Sequence, residues 1–164
     1  MDGFGSHLKM FKLIFEYKEV NSMIEFGMGD FSTPFFIENV KEEIISIEMQ
    51  QKSWYDKIYE QFSKSKNWTG ISCIGRFDFM KLKIYKEFDL AFVDGHGDSR
   101  PECINFISEF VPSIVVHDTE TLSYRWNLIH LPGDYIRVDD IKSRPWTTLY
   151  TTDSKLANYV IERL

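Results

Sequence analysis

Apolar positions along the 164-residue chain alternate between a helical and an extended spacing. Leu8, Phe11, Ile14 and Phe15 recur at helical intervals between His7 and Tyr17, and Ser22 to Phe26 then reads as a short strand. Ser32 or Thr33 is expected to cap a second helix carrying Phe35, Phe36 and Val40, with Pro34 tolerated in its first turn. Ile44 to Glu48 is the next strand. Ser53 is expected to cap a third helix with Trp54, Tyr55, Ile58, Tyr59 and Phe62 on one side, followed by strands at Thr69 to Ile74 and Leu90 to Val93. Cys103, Ile104, Ile107 and Phe110 give Arg100 to Phe110 a helical stripe, and Ile114 to Val116 reads as a buried strand. A short helix around Leu122 to Ile129 is expected next. Two further strands, Tyr135 to Val138 and Trp146 to Tyr150, are joined through Lys142, Ser143 and Arg144, and Leu156 to Leu164 forms a terminal helix or frayed tail.

Strands alternating with helical patterns predict parallel βαβ units. The expected architecture is an α/β open sheet, mostly parallel with a C-terminal antiparallel hairpin, with helices on both faces. No repeat, low-complexity tract or linker divides residues 1–164, so a single domain is expected. A hydrophobic fraction of 43% with 27% charged residues excludes a disordered or fibrous chain. No apolar run approaches the roughly 20 residues of a spanning helix, and Met1 to His7 shows no secretory pattern, so no membrane association and a cytoplasmic location are expected. Cys73 and Cys103 lack CxxC spacing and are expected to be buried thiols. A net charge of −6, with Lys81, Lys83 and Lys86 as the one basic group, disfavours a nucleic-acid partner.

Ligands of open α/β sheets sit at the carboxyl ends of the strands, beside the switch in strand order. Glu25-Phe26-Gly27-Met28-Gly29-Asp30-Phe31-Ser32-Thr33 follows the first strand there and opens a helix. Glycines at 27 and 29 allow a tight turn and close approach to a ligand. The segment is neither a complete GxGxxG nor a phosphate loop, since position 32 is serine and no GK[ST] follows. Glu48, with Met49 after it, ends the second strand about twenty residues on, where an acid can accept both hydroxyls of a ribose.

These features resemble the class I S-adenosylmethionine-dependent methyltransferases over about His7 to Tyr150, a family with a Rossmann-like three-layer fold. The resemblance implies that the loop of Glu25, Gly27, Gly29 and Ser32 holds the methionine part of the cofactor. It places the ribose on Glu48 and the adenine near Gly75, Phe77 and Asp78, and it adds Met49 and Asp94 to the cofactor-binding residues. Asp89 to Asp98, with its Phe92-Val93-Asp94-Gly95-His96 run, and Ile114 to Thr119, with His117-Asp118, are similar to the ends of the fourth and fifth strands in small-molecule and sugar O-methyltransferases. Metal-dependent members bind a divalent cation there, which implies Asp94, His117 and Asp118 as ligands of Mg2+ or Mn2+. A hydroxyl is a poor nucleophile near neutrality, so a cation held by carboxylates can lower its pKa while His96 takes the proton, with Asp94 also catalytic.

Asp98 and Arg100 are expected to cap and open the following helix without touching substrate, and His7 to cap the first helix or lie at the surface. Glu120, Tyr124, Arg125 and Trp126 are positioned to line an acceptor pocket, and the four tryptophans read as packing residues. Asp94-Gly95-His96-Gly97 differs from the [DN]PP[YF]-like run of nucleic-acid amino-methyltransferases, which favours O-methylation of a glycan or small molecule. A short chain without an inserted cap implies a shallow acceptor pocket, one shared within a homo-oligomer, or one built for a glycan end. A metal-independent reaction with His96 as base, and a catalytically inactive cofactor-binding scaffold, are the alternatives. A nicotinamide-dependent oxidoreductase is disfavoured by the incomplete glycine motif.

Overall fold

The computed structural model describes residues 5–74 and 86–164. Among them seven strands form one sheet in the order β3-β2-β1-β4-β5-β7-β6. The strands are β1 (Ser22–Phe26), β2 (Glu43–Glu48), β3 (Trp68–Ser72), β4 (Leu90–Val93), β5 (Ser113–His117), β6 (Ile136–Asp140) and β7 (Thr147–Thr151). β1 to β5 pair in parallel, and β7 runs antiparallel between β5 and β6, so the expected C-terminal hairpin inserts its second strand into the sheet. The strand order switches direction between β1 and β4, whose carboxyl ends stand side by side.

Period-two side-chain alternation sends each strand's residues to two cores. Met23, Leu90, Phe92 and Val115 face one side, where they pack with α1 (Leu8–Tyr17), α2 (Ser32–Asn39), α3 (Lys52–Phe62) and α5 (Ser154–Ile161). Ile24, Phe26, Ala91, Val93, Ile114 and Val116 face the other side and pack with α4 (Arg100–Ile107). The sheet is therefore covered on both faces, as its nearly all-apolar central strands require. No helix among the described residues is long and apolar enough to cross a membrane.

The helix boundaries depart from the sequence expectation in instructive ways. Phe31 and Gln51 precede α2 and α3 without a side-chain cap, so Ser32, Thr33 and Ser53 lie inside the helices they were expected to cap. α5 is a true helix, capped by Asp153, whose carboxylate accepts from the N–H groups of Lys155 and Leu156 at 2.9 and 3.0 Å. The helix expected over Leu122 to Ile129 is two 3-10 turns, broken by Arg125 in the left-handed region at φ 58°.

Phe92 occupies the centre of the larger core, fully buried, with ring centroids of Phe11 at 5.0 Å and Phe36 at 5.7 Å. Phe92→Ala leaves a cavity between β4 and two helices and is expected to cost about 3–5 kcal/mol. Urea unfolding checks this: the midpoint falls with the slope unchanged.

Candidate functional site

The carboxyl ends of β1, β2 and β4 meet at Gly27. Its φ of 96° lies in the left-handed region, and a Cβ there would fall 2.5 Å from the Gly95 nitrogen and 2.6 Å from the Gly95 Cα. Only glycine lets the two loops pass. The Gly27 N–H donates to the Ile47 carbonyl at 2.8 Å, and the Asp94 N–H donates to the Phe26 carbonyl at 2.8 Å, so all three strand ends are tied together.

Beneath this crossing Glu25 is fully buried. Its carboxylate accepts from the hydroxyls of Ser32 at 2.6 Å, Thr33 at 2.9 Å and Ser46 at 2.6 Å. Thr33 in turn accepts from the Gly29 N–H at 3.0 Å, and Ser46 from the Trp68 indole at 2.9 Å. Burial pushes the Glu25 carboxyl up to about 7, and the three hydroxyl donors oppose that rise. The serine and threonine hydroxyls that looked like helix caps thus bond to Glu25, and the group holds the glycine loop from below.

Glu48 is also buried, and its two oxygens accept backbone N–H groups from both sides. Oε2 accepts from Met28 at 3.3 Å, while Oε1 accepts from Gln50 at 2.7 Å and Gln51 at 3.2 Å. The Trp54 indole donates to the Met28 carbonyl at 2.7 Å. Its ring carries the Lys57 ammonium 4.3 Å from the centroid, and Lys57 pairs with Asp30 at 2.6 Å. Gly27, Met28, Glu48, Gln50, Gln51, Trp54, Asp94 and Gly95 line a cleft of about 200 Å³.

Of the expected cofactor residues, Gly27, Glu48 and Asp94 lie on the cleft wall. Glu25, Gly29 and Ser32 support that wall through the bonds just described. Met49 instead turns into the second core, its Sδ 3.9 Å from the Cys103 thiol. Gly75, Phe77 and Asp78 fall outside the described residues. Trp54, Gln50 and Gln51 were not identified from the sequence, although the start of the helix after an acid-ended strand is where the switch-point rule would look.

At the ends of β4 and β5 the dominant residue is Arg100, which is 4% exposed. Its Nη2 lies 3.0 Å from Asp94 Oδ1 and 3.0 Å from Asp118 Oδ2. Nε donates to the Gly95 carbonyl at 2.9 Å and Nη1 to the His117 carbonyl at 2.5 Å. The Tyr124 ring covers the guanidinium, with its centroid 4.6 Å from Cζ. Arg100 opens α4 as expected, with Ser99 and not Asp98 at the N-cap position, and it does more: a cation at a helix N-terminus opposes the helix dipole, and two carboxylates hold it there.

His117 Nδ1 is 3.2 Å from Asp94 Oδ1 and 3.6 Å from Asp118 Oδ1, and Nε2 is 2.9 Å from the Ser6 hydroxyl, which donates to the Pro145 carbonyl at 2.9 Å. Burial alone would raise the Asp94 carboxyl, but the His117 hydrogen bond and the neighbouring positive groups outweigh it and hold the carboxyl below its ordinary range. His7 is 2% exposed, which corrects its expected surface role; it stands at the N-cap position of α1, without a side-chain cap bond. Its ring stands 4.8 Å from that of His117 and 5.0 Å from that of Phe92, and neither ring nitrogen has a hydrogen-bond partner. Burial, reinforced by His117, lowers its pKa to about 4.

Asp94, His117 and Asp118 are thus assembled as expected for a metal site, yet the carboxylates already share a cation. A divalent ion between Asp94 and Asp118 would displace the guanidinium or sit against it, so these residues do not fit such an ion. His96, the expected base, is exposed on the loop after β4; its carbonyl accepts from the N–H and hydroxyl of Ser99. Glu120 accepts from the Trp146 N–H at 2.8 Å, and Leu122 is 90% exposed.

No family model matches the chain, and no curated protein matches it in sequence. Solved structures do. An O-methyltransferase from Bacillus cereus in complex with SAH superposes with a TM-score of 0.66 at 12% identity, covering 92% of this chain and 81% of that one. A Klebsiella pneumoniae protein assigned as an O-methyltransferase gives 0.67 at 12% identity over 94% and 81%. A Streptococcus mutans protein assigned as a methyltransferase, also in complex with SAH, gives 0.63 at 13% over 87% and 96%. The chain has the Rossmann-like fold of these proteins.

His7 gives the site a pH signature. An unfolded histidine titrates near 6.5 and the folded one near 4, so the unfolded chain binds the proton first as pH falls. Stability from this residue is full above about 6.5 and declines toward 4, by up to about 1.4 kcal/mol per pH unit. Glu25 acts oppositely, since its raised value makes its contribution fall as pH rises from 4.5 to about 7. Urea titrations at pH 6.5 and 4.5 on wild type and His7→Phe separate the two, and the variant is expected to lose less stability on acidification. An equal loss would remove the histidine from the account.

Proposed function

We propose that this chain transfers a methyl group from S-adenosylmethionine to a hydroxyl of a glycan end or other small molecule. The observation that carries the reading is the cleft itself. It opens where strand order reverses, with the Gly27 crossing at its base and the Glu48 carboxylate on its wall. The SAH complexes among proteins of the same fold support the choice of cofactor class.

The sulfonium cofactor supplies an activated methyl group, which leaves the protein chiefly to align the acceptor and manage its proton. Glu48 is pinned by three backbone N–H groups, so its carboxylate is oriented before a ribose arrives. Trp54, Gln50 and Gln51 form the adjoining wall beside the Glu48 carboxylate. Asp94 lies on the same wall with its carboxyl held ionised, so it can accept a hydrogen bond from an ammonium group or an acceptor hydroxyl. In the metal-assisted form of this reading, Asp94, His117 and Asp118 would hold Mg2+ or Mn2+, which would lower the pKa of the acceptor hydroxyl. The position of Arg100 favours the metal-independent form. His96, exposed beside the site, then remains the candidate base, and its function requires an acceptor that reaches over the β4 loop. Cys73 and Cys103 are both buried cysteines outside any disulfide, which suits a reducing compartment, and we propose the cytoplasm as the place of the reaction.

Calorimetric titration with S-adenosylmethionine and with S-adenosylhomocysteine tests the reading. Wild type is expected to bind both, and Glu48→Ala to weaken binding about 10- to 100-fold, the equivalent of losing charge-assisted hydrogen bonds. Absence of binding to either compound by folded wild-type protein would overturn the function.

A further inference from the structure

We infer that Arg100 is the resident cation of the β4–β5 carboxylate site, and that it closes Asp94 and Asp118 to divalent metals. Three kinds of contact fix the guanidinium in that role. Its Nη2 bridges the two carboxylates at 3.0 Å each. Nε and Nη1 bond to the carbonyls of Gly95 and His117, one on each strand-end loop, and Tyr124 covers the flat face. Asp118 reaches the bridge because its backbone turns into the left-handed region at φ 57°, an uncommon conformation for a residue other than glycine.

A divalent ion at these carboxylates would have to compete with a cation already in place. Magnesium and manganese need several oxygen ligands in near-octahedral array, whereas Asp94 Oδ1 already meets Arg100 and His117, and Asp118 Oδ2 meets Arg100. His7, Asp94 and His117 bring one ligand atom each within 4.8 Å of one another. Tetrahedral zinc holds its ligand atoms only about 3.4 Å apart, and the Arg100 charge lies 3.0 Å from the shared carboxylate. That trio therefore also works against a fixed positive charge. The consequence for catalysis, which rests on the methyl-transfer reading, concerns the acceptor. Without a metal at this site, the acceptor hydroxyl must be oriented by the protein's own groups.

The decisive measurement is metal binding by stripped wild-type protein without any cofactor, so its outcome is independent of whether S-adenosylmethionine binds. Titrated with Mn2+, the protein is expected to leave the free-ion electron paramagnetic resonance signal as it is in buffer. Its melting midpoint is expected to be indifferent to Mg2+, Mn2+ and chelator. Arg100→Gln leaves two buried-edge carboxylates without their cation; its midpoint is expected to fall in metal-free buffer and to recover in part with Mn2+. If that variant does not fold, the wild-type titration still decides. One equivalent of Mn2+ bound by wild type and lost in Asp118→Asn, or one equivalent of Zn2+ lost in His7→Phe, would overturn the assignment.

Discussion

At Gly27 two loops pass closer than any side chain would allow, and the site depends on that crossing. With a Cβ at this position 2.5 Å from the Gly95 nitrogen, β1 and β4 could not bring their carboxyl ends together while remaining parallel neighbours. The crossing sets the base of the cleft, aims Met28 toward Glu48, and puts Asp94 on the wall. Its geometry is enforced from beneath by Glu25, whose three hydroxyl bonds connect the loop's helix to β2. A buried carboxyl is costly unless satisfied, and here satisfaction and loop positioning are the same set of bonds.

The β5 side of the site follows a different electrostatic logic. Glu25 is surrounded by neutral donors and pushed upward by burial, whereas Asp94, with positive neighbours, is held downward. Glu25 beneath the cleft and Asp94 on its wall are thereby shifted in opposite directions, because burial dominates at the first and charged partners outweigh it at the second. Arg100 also spans the gap between the β4 and β5 loops, so the charge balance and the relative position of the strand ends share one side chain. Ser6, bonded to both His117 and the Pro145 carbonyl, extends this fastening to the segment before α1 and to the β6–β7 connection.

Local patterns made much of the fold legible. The strand at Leu90–Val93 ends where its apolar run ends, as suits a strand buried on both faces. The parallel pairing followed from the alternation of periods, and the C-terminal antiparallel pair from two strands joined by a short connection. Boundaries set by competition were not legible. Ser32 and Thr33 look like helix caps to any local rule, but Glu25, seven and eight residues away, takes their hydroxyls. Phe110 keeps the helical stripe of α4, yet the helix stops at Ile107.

The same distinction separates the site residues. Gly27, Glu48, Asp94 and Asp118 were legible because strand-end position and residue type together specify them. Arg100, His7 and Trp54 were not, since what defines each is a contact far away in sequence: His117 lies 17 residues beyond Arg100, and Trp54 reaches back 26 residues to Met28. A motif records the acids that can hold a cation but not which cation holds them. In this chain that information sits at the first residue of α4, where local rules read an arginine only as the start of a helix.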